Sequence, residues 1–295
     1  MYNKTLLVTG SSGFVGSAFL NDEKSSFSKV RTETVRNENL NQLSLDGVDI
    51  VLHLAGKAHQ MQYVDNQLYF DINFKLTKEL AITAKNSGVS HFIFVSTIKV
   101  YGEHDEGPYS EVSATIPGQD PYGLSKLQAE NFLKSIEDEK FIVSIIRPPL
   151  VYGPEVKGNM ISLLQLCNTS LPLPFADIQN KRTMVYVRNL TSLIMKVIET
   201  KKSGIFLAGD REPISTTTLI EQIRKQLGKP ARLFKLPIFI LYLLQIVKPS
   251  LHKRLFCSLQ VNTTSTQNRL DFIPPFSTEY GIQQMVNWYV NFNRK

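Results

Sequence analysis

The sequence predicts an α/β fold, in which a doubly wound parallel sheet is followed by a smaller C-terminal lobe. Three observations lead to this prediction. The first apolar strand runs into a turn with three glycines and then into a helix. Strand and helix patterns alternate over residues 1–150, whereas prolines and irregular segments dominate residues 151–295. We therefore place the sheet domain at 1–150, with a return around 182–200, and the lobe at 151–295.

The glycine turn follows the strand Lys4–Thr9. Gly10 permits the tight turn, Gly13 lets phosphates approach the backbone, and Gly16 lets the next helix pack on the sheet. The amino terminus of that helix then faces the phosphates. The turn predicts a nucleotide-binding Rossmann domain, although a turn of this kind can also use glycine for steric reasons alone.

The remaining elements follow from apolar runs and helical periodicity. Short apolar runs bounded by turn residues predict strands, and apolar residues three or four apart predict helices. In the first half these are a helix from 13 to 20, strands at 29–36, 49–55, 91–96 and 141–147, and helices at 70–86 and 122–136. In the lobe, helices are predicted at 191–199, 217–227 and 278–291, and residues 184–187 are interpreted as a strand returning to the sheet.

The composition argues against several classes of function. The formal net charge of +7 suits an anionic ligand, but the basic residues are scattered. Because no basic run with interleaved aromatic residues occurs, we expect no nucleic-acid partner. The two cysteines, Cys167 and Cys257, are far apart and lack metal-type neighbours, so we expect a cytoplasmic protein without a bound metal. No signal-peptide pattern precedes the first strand.

One strongly apolar segment, residues 236–247, is followed by Lys248, Lys253 and Arg254. It is too short to span a bilayer, which needs roughly 20 apolar residues. We expect a helix that packs on the lobe or at a subunit contact. Peripheral attachment to a membrane surface is the less favoured alternative.

Tyr122 and Lys126 form a candidate acid/base pair. Residues four apart on a helix share a face, so the Lys126 ammonium can lie near the Tyr122 hydroxyl. A neighbouring cation favours the phenolate, and we expect it to lower the pKa of Tyr122 towards the range of a general acid or base. Of the eleven tyrosines, Tyr122 alone has a lysine four residues on. Taken alone, the pair is equally compatible with a surface contact that has no chemical role.

Hydroxyl residues end the strand at 91–96. Ser96 and Thr97 come at its carboxyl end, where ligands of open parallel sheets bind, so they should face the same crevice as the glycine turn. A hydroxyl there can hydrogen-bond a substrate carbonyl or alkoxide and help relay a proton. Capping of the strand end is the plain structural alternative.

Together these motifs resemble the extended short-chain dehydrogenase/reductase family of nucleotide-sugar epimerases, dehydratases and reductases. The resemblance covers essentially the whole chain. Its motifs are the TGxxGxxG turn at 9–16, the strand end at 95–102, the YxxxK pair at 122–126 and the segment RPPLVYGP at 147–154. Tyr122 lies 25 residues after Thr97, the separation expected in the family, so the resemblance implies that Thr97 rather than Ser96 is the catalytic hydroxyl residue.

The resemblance also implies the other site residues. Tyr122 would exchange a proton with the sugar, Lys126 would hold the cofactor ribose, and Thr97 would orient the sugar oxygen. A nicotinamide dinucleotide would contact Gly10, Ser12, Gly13, Phe14, Val15, Gly16, Arg36, Leu54, Ala55, Gly56, Asn73, Ser96, Tyr122, Lys126 and Pro149. A UDP-sugar would contact Thr97, Lys99, Asn159, Arg182 and, with a looser local match, Arg254. A homodimer through the helices at 70–86 and 122–136 is implied as well.

The end of the second strand bears on the choice between NAD and NADP. NAD-selective sites commonly place an acidic residue there, but the predicted strand ends in Thr34-Val35-Arg36. Arg36 would attract a 2′-phosphate, so we expect NADPH, with NAD as the alternative. An arginine stacked on adenine is compatible with either cofactor, and Glu33 and Glu38 flank the position.

Three reactions with hydride transfer at sugar C4 share this machinery. A dehydratase usually needs an acidic pair after the catalytic hydroxyl residue, and Thr97-Ile98-Lys99 offers none. Arg36 favours a reductase, and segments at 96–100, 147–159 and 171–174 resemble bacterial enzymes that reduce UDP-4-keto-6-deoxy-N-acetylhexosamines for surface polysaccharides and are often labelled UDP-glucose 4-epimerase. A UDP-sugar 4-epimerase with tightly bound NAD is the main alternative. A non-catalytic nucleotide sensor is least favoured, because such proteins tend to lose the tyrosine or the lysine.

Overall fold

The structure is a computed structural model that describes residues 2–35, 43–57, 65–102, 107–115, 118 and 120–292. Its strands are β1 (Tyr2–Thr9), β2 (Phe27–Glu33), β3 (Ile50–His53), β4 (His91–Val95), β5 (Ile142–Arg147), β6 (Leu150–Tyr152), β7 (Met184–Tyr186) and β8 (Gly204–Leu207). Its α-helices are α1 (Phe14–Glu23), α2 (Asn66–Tyr69), α3 (Leu76–Asn86), α4 (Pro121–Ile136), α5 (Asn159–Cys167), α6 (Val187–Thr200), α7 (Thr216–Gln226), α8 (Ile238–Val247), α9 (Pro249–Phe256), α10 (Thr264–Leu270) and α11 (Thr278–Phe292). A π-helical turn (Phe70–Lys75) joins α2 to α3.

Six parallel strands form the central sheet in the order β2-β1-β3-β4-β5-β8. The chain first moves from β1 to β2 on one side and then returns to β3 on the other side of β1. The strand order therefore reverses beside β1, and ligands of such sheets bind in the crevice at the carboxyl ends of the strands at this point. The predicted fold class, a doubly wound parallel sheet of the Rossmann type, is confirmed.

Apolar side chains cover both faces of the sheet. On one face, Leu6, Val8 and Leu52 belong to a buried cluster that includes the apolar side of α6. On the other face, Leu7 and Val51 pack with α3 and α4. Neighbouring strand residues alternate between the two clusters because successive side chains of a strand point to opposite faces. Burial of each such side chain contributes about 1.5–3 kcal/mol, which fixes the sheet and hence the crevice.

The strand predicted to return to the sheet pairs elsewhere. Residues 184–186 form β7, but β7 pairs with β6 in a separate two-stranded parallel sheet. The sixth strand of the main sheet is instead β8, which the sequence analysis did not find. The helix that follows β7, α6, packs against α1 and contributes to the core of the main sheet.

The second strand ends three residues earlier than the predicted strand at 29–36. β2 ends at Glu33, which pairs with Thr9 at the end of β1. Arg36, on which the NADPH expectation rests, lies outside the described residues.

The apolar segment 236–247 forms α8, but packing on the lobe, one of its two predicted arrangements, is wrong. No residue of α8 is buried, and the helix folds back on α9 as a hairpin. Ile238, Phe239 and Ile246 are 70%, 68% and 78% exposed. Among the described residues, no helix is long and apolar enough to cross a membrane.

Candidate active site

The glycine turn lies against the end of β3, where the strand order reverses. Gly10 has a φ of +71°, in the left-handed region that favours glycine, and a Cβ there would lie 2.5 Å from the Ala55 nitrogen. A Cβ on Gly16 would overlap the Gly10 carbonyl oxygen. Ser12 and Gly13 are exposed. The turn is therefore an open backbone cradle at the start of α1, and it fits the pyrophosphate of a dinucleotide.

A chain of hydrogen bonds behind this turn passes through His53. The Ala55 N–H donates to Thr9 Oγ1 at 3.4 Å, and Thr9 Oγ1 lies 2.6 Å from His53 Nδ1. On the other side of the ring, His53 Nε2 lies 2.9 Å from Thr77 Oγ1. Because Thr77 Oγ1 donates its proton to the Asn73 carbonyl at 2.8 Å, it accepts from Nε2, and Thr9 donates to Nδ1.

The His53 ring is neutral. Burial lowers the pKa of His53 to about 3, and the positive charge of Lys126 acts in the same direction. The hydrogen bonds through His53 require one ring nitrogen that donates and one that accepts, and a neutral ring has both. In the sequence, the indication of this arrangement is a histidine within the apolar run at 49–55.

Asn73 connects the end of β3 to α4. It lies in the π-helical turn before α3, a widening of the helix that is frequent at functional sites. Its Oδ1 accepts from the Lys57 N–H at 2.8 Å, and its Nδ2 donates to the Lys57 carbonyl and to Ser125 Oγ, each at 3.1 Å. A Cβ on Gly56 would lie 2.9 Å from Asn73 Oδ1 and 3.2 Å from Lys126 Nζ. Gly56, Asn73 and Lys126, predicted separately, therefore lie together.

Tyr122 and Lys126 lie in the first turns of α4, beside the end of β4. The hydroxyl groups of Tyr122 and Thr97 are hydrogen-bonded to each other. Lys126 is only 4% exposed, and its Nζ donates to the Val95 carbonyl at 3.0 Å. The predicted catalytic residues Thr97, Tyr122 and Lys126 thus converge on the carboxyl end of β4.

Burial shifts the pKa values of this pair in opposite directions. Burial raises the pKa of Tyr122 to about 12. The hydrogen bond with Thr97 lowers this pKa in part, whereas the Asp120 carboxylate raises it further. Burial lowers the pKa of Lys126 to about 8. The expectation that Lys126 lowers the pKa of Tyr122 is wrong for this structure, because burial dominates the shift and the effect that opposes it comes from Thr97. Tyr122 is therefore a neutral phenol at pH 7 and can donate a proton.

Lys99 and Asp120 hold the start of α4 in place beside Thr97. Lys99 Nζ lies 3.1 Å from Asp120 Oδ2, and Asp120 Oδ1 accepts from the Tyr122 N–H at 3.2 Å as the helix N-cap. Thr97 Oγ1 in turn accepts from the Lys99 N–H at 3.2 Å. Contact of Lys99 with a sugar or phosphate oxygen stays a prediction.

Ser96 and Pro149 lie at the ends of neighbouring strands. Ser96 donates its N–H to the Ile146 carbonyl at 2.8 Å, and both Ser96 and Pro149 are buried. Ser96 Oγ has no hydrogen-bond partner within the part of the chain that the structure describes. An unsatisfied buried polar group costs about 1–3 kcal/mol. A ligand at the end of β4 could supply the missing partner, which agrees with the predicted place of Ser96 at the cofactor.

A buried ion pair holds α4 on β5. The side chains of Arg147 and Glu130 are 1% and 0% exposed, and two hydrogen bonds of 3.0 and 2.5 Å join them. Such a bidentate pair fixes orientation as well as distance. Glu130 lies one turn after Lys126, so the pair fixes the helix face that carries the lysine.

The predicted substrate residues are less closely grouped. Arg182 Nη1 donates to the carbonyls of Lys253 at 3.2 Å and Cys257 at 2.9 Å, at the end of α9. Arg254 lies on that same helix, whereas Asn159 is exposed at the start of α5. Contact of these three side chains with a nucleotide diphosphate stays a prediction.

The site combines a dinucleotide cradle with a hydroxyl residue at the end of β4 and with a tyrosine and a buried lysine on α4. This combination is typical of Rossmann-fold oxidoreductases that use a nicotinamide cofactor. Comparison with known proteins narrows this class. The model of the NAD-dependent epimerase/dehydratase family matches residues 6–209, and the chain belongs to this family. Within the described ranges, no group of three or more His, Cys, Asp or Glu side chains could hold a metal ion.

The relatives support this assignment. The chain is 34% identical to a UDP-glucose 4-epimerase of Vibrio cholerae, over 99% of this chain and 97% of that protein. It is 24% identical to an N-acetyl-alpha-D-glucosaminyl-diphospho-ditrans,octacis-undecaprenol 4-epimerase of Escherichia coli, over 97% of this chain and 95% of that protein.

Solved structures show the same fold. A UDP-N-acetylglucosamine 4-epimerase from Methanobrevibacter ruminantium in complex with UDP-N-acetylmuramic acid has a TM-score of 0.81 at 20% identity, over 99% of this chain and 100% of that chain. A UDP-glucuronic acid 4-epimerase from Bacillus cereus in complex with NAD has a TM-score of 0.78 at 23% identity, over 98% of this chain and 99% of that chain.

Proposed function

We propose that this protein transfers a hydride between a nicotinamide dinucleotide and C4 of a UDP-sugar, with Tyr122 as the acid/base. The observation that carries the proposal is the convergence of Tyr122, its hydrogen-bond partner Thr97 and the buried Lys126 on the carboxyl end of β4. The bound dinucleotide supplies or accepts the hydride. The open cradle at Gly10–Gly16 fits such a group, and so does the Ser96 hydroxyl, which has no partner among the described residues.

Each of the three residues has a distinct task in this proposal. The phenol of Tyr122 donates its proton to the oxygen on C4 as negative charge develops there. The Thr97 hydroxyl orients Tyr122 through their hydrogen bond and would orient the sugar oxygen by donating a hydrogen bond to it. Lys126, with a pKa of about 8, is largely charged at pH 7 and would hold the ribose of the dinucleotide.

The favoured reaction is reduction of a UDP-4-keto-6-deoxy-N-acetylhexosamine, with NADPH as the reductant, for surface polysaccharide synthesis. In this reduction Tyr122, whose pKa burial raises to about 12, would donate the proton. An epimerase would use the same residue first to accept a proton and then to donate it, so the preference for reduction rests on the sequence. Arg36 supports NADPH on sequence grounds.

A UDP-sugar 4-epimerase with tightly bound NAD is the second candidate. The observation that favours it is Glu33, an acidic residue at the end of β2 and opposite Thr9, which is the arrangement expected for binding the ribose 2′-hydroxyl of NAD. The names of the relatives point in the same direction.

One labelling experiment distinguishes the two reactions. The purified protein is mixed with NADPH that carries deuterium at the transferable position and with the 4-keto sugar nucleotide, and with NADH in parallel. Deuterium at C4 of the product, with stoichiometric loss of nicotinamide absorbance, is the expected result. If the keto sugar is not reduced and UDP-hexoses instead interconvert at C4 without added cofactor, the protein is an epimerase and the NADPH proposal is wrong.

The proposal includes a cytoplasmic homodimer that contacts its partner copy through α3 and α4. Its support is the family resemblance, together with the 40% exposure of the apolar Ile82 on α3. Light scattering on the purified protein measures the mass. A monomer at micromolar concentration would contradict this part of the proposal.

A further inference from the structure

The α8–α9 hairpin presents an unusual concentration of exposed apolar side chains. Of the sixteen large hydrophobic residues that are exposed in the described chain, seven lie in α8. Soluble monomeric proteins rarely expose large contiguous apolar patches unless these bind something. The seven are Ile238, Phe239, Ile240, Tyr242, Leu243, Ile246 and Val247.

The charge around this patch is of one sign. From residue 222 to residue 270 the sequence contains nine lysines and arginines and no aspartate or glutamate. Lys248, directly after α8, and Lys253, on α9, are both exposed. An apolar helix flanked by basic side chains is complementary to a bilayer surface that carries anionic headgroups. Two copies of such a hairpin would repel each other, which argues against self-association through this surface.

The hairpin is also joined to the predicted substrate side of the protein. Arg182 binds the carbonyls of Lys253 and Cys257, as described above. The buried Asn180 donates from Nδ2 to the carbonyls of Leu255 and Cys257, each at 3.2 Å. The end of α9 is therefore anchored in the lobe. A surface that held the hairpin would also hold this side of the protein close to it.

We propose that the α8–α9 hairpin docks the protein on an anionic lipid surface, with α8 lying in the headgroup plane and its apolar side chains entering the acyl boundary. The helix is ten residues long, so it lies on the bilayer and does not cross it. The basic residues at its end and on α9 contact lipid phosphates. This docking is independent of the reaction proposed for the active site.

Flotation with lipid vesicles tests the proposal. The full chain is mixed with vesicles of phosphatidylcholine alone or of phosphatidylcholine with phosphatidylglycerol. We expect binding to the anionic vesicles, little binding to the neutral ones, and weaker binding as salt is raised, because salt screens surface charge. No flotation with anionic vesicles would overturn the proposal.

Matched variants assign the binding to the hairpin. The double variant Phe239→Asp with Ile246→Asp should weaken vesicle binding at least ten-fold, whereas Ile273→Asp, at a position 69% exposed outside the hairpin, should leave it unchanged. Lys248→Glu with Lys253→Glu should also weaken it about ten-fold, whereas Lys140→Glu, on an exposed turn, should not. Thermal unfolding of every variant checks the fold.

Two further outcomes would contradict docking on lipid. Equal loss of vesicle binding in the hairpin and control variants would show that the hairpin is not the lipid contact. Oligomers that dissociate in Phe239→Asp, with no vesicle binding by the parent protein, would show that the patch binds a second copy of the chain.

Discussion

Replacement of Gly10 by alanine tests whether the dinucleotide site depends on the close backbone contact between the glycine turn and the end of β3. Gly10 has a φ of +71°, and an added Cβ would lie 2.5 Å from the Ala55 nitrogen and 2.7 Å from the Leu54 carbonyl carbon. Both atoms belong to the backbone, so the contact is relieved only if the end of β3 moves. An ordinary contact begins at 3.4 Å, and the required movement is therefore about 1 Å.

Two costs add in this variant. Alanine in the left-handed region costs roughly 1–2 kcal/mol. Insertion of a methyl group into a closely packed position costs about 1–3 kcal/mol more. We expect Gly10→Ala to lower the free energy of unfolding by about 2–5 kcal/mol. Because the movement displaces Leu54 and Ala55, we also expect dinucleotide binding to weaken at least ten-fold, which corresponds to about 1.4 kcal/mol.

Gly88→Ala is the matched control. Gly88 has a φ of +78°, but beyond its chain neighbours no atom of the described residues lies within 4 Å of its Cβ position, so this variant has the conformational cost without the collision. Urea unfolding measures stability, and fluorescence titration measures the Kd for NADPH and NAD. If Gly10→Ala is as stable as Gly88→Ala and binds either dinucleotide as tightly, the turn does not depend on its contact with β3.

Three further predictions concern buried polar groups. Ser96→Ala should raise the free energy of unfolding by about 1 kcal/mol, because Oγ is buried and lacks a partner in the described chain, while dinucleotide binding weakens; lower stability would contradict this. Glu130→Gln should lower the free energy of unfolding in urea by about 3–5 kcal/mol because it leaves the Arg147 charge buried without its partner. Asp138→Asn, in an exposed ion pair with Lys85, should lower it far less. Burial lowers the pKa of His53 to about 3. The neutral ring therefore contributes fully to the free energy of unfolding above pH 6.5, and this contribution, up to about 5 kcal/mol, is lost as the pH falls towards 3. Unfolding measured across this pH range should be flatter for His53→Asn, and an unchanged profile would contradict the buried neutral ring.

The sheet domain was predictable because its indications are local. The strand before Gly10 is apolar, the turn has its glycines at fixed spacing, and α4 begins at an Asp-Pro pair that caps a helix. Strand pairing is not local. β8 has four residues, too few to show a periodicity, and its partner β5 ends more than fifty residues earlier.

The sequence predicted that Thr97, Tyr122 and Lys126 lie together, but it did not predict their energetics. The spacing of Tyr122 and Lys126 indicated a shared helix face, yet the sign of the Tyr122 pKa shift depends on burial by distant parts of the chain. The partners of His53 lie 44 and 24 residues away, at Thr9 and Thr77. The exposure of α8 could not be predicted from the sequence either, because an apolar helix has the same composition whether it is buried or exposed.

Turnover by Tyr122→Phe is the most direct test of the central claim, that Tyr122 moves the proton during hydride transfer at C4. Wild type, Tyr122→Phe and the control Tyr242→Phe, whose side chain is exposed on α8, are compared with NADPH and the 4-keto sugar nucleotide, and with UDP-hexoses. We predict that Tyr122→Phe loses about 10²–10⁴-fold in kcat, with the Kd for the dinucleotide changed less than threefold, and that Tyr242→Phe keeps full activity. Full activity of Tyr122→Phe, or no turnover of either substrate class by a wild type that binds dinucleotide, would contradict the claim and indicate a binding module instead.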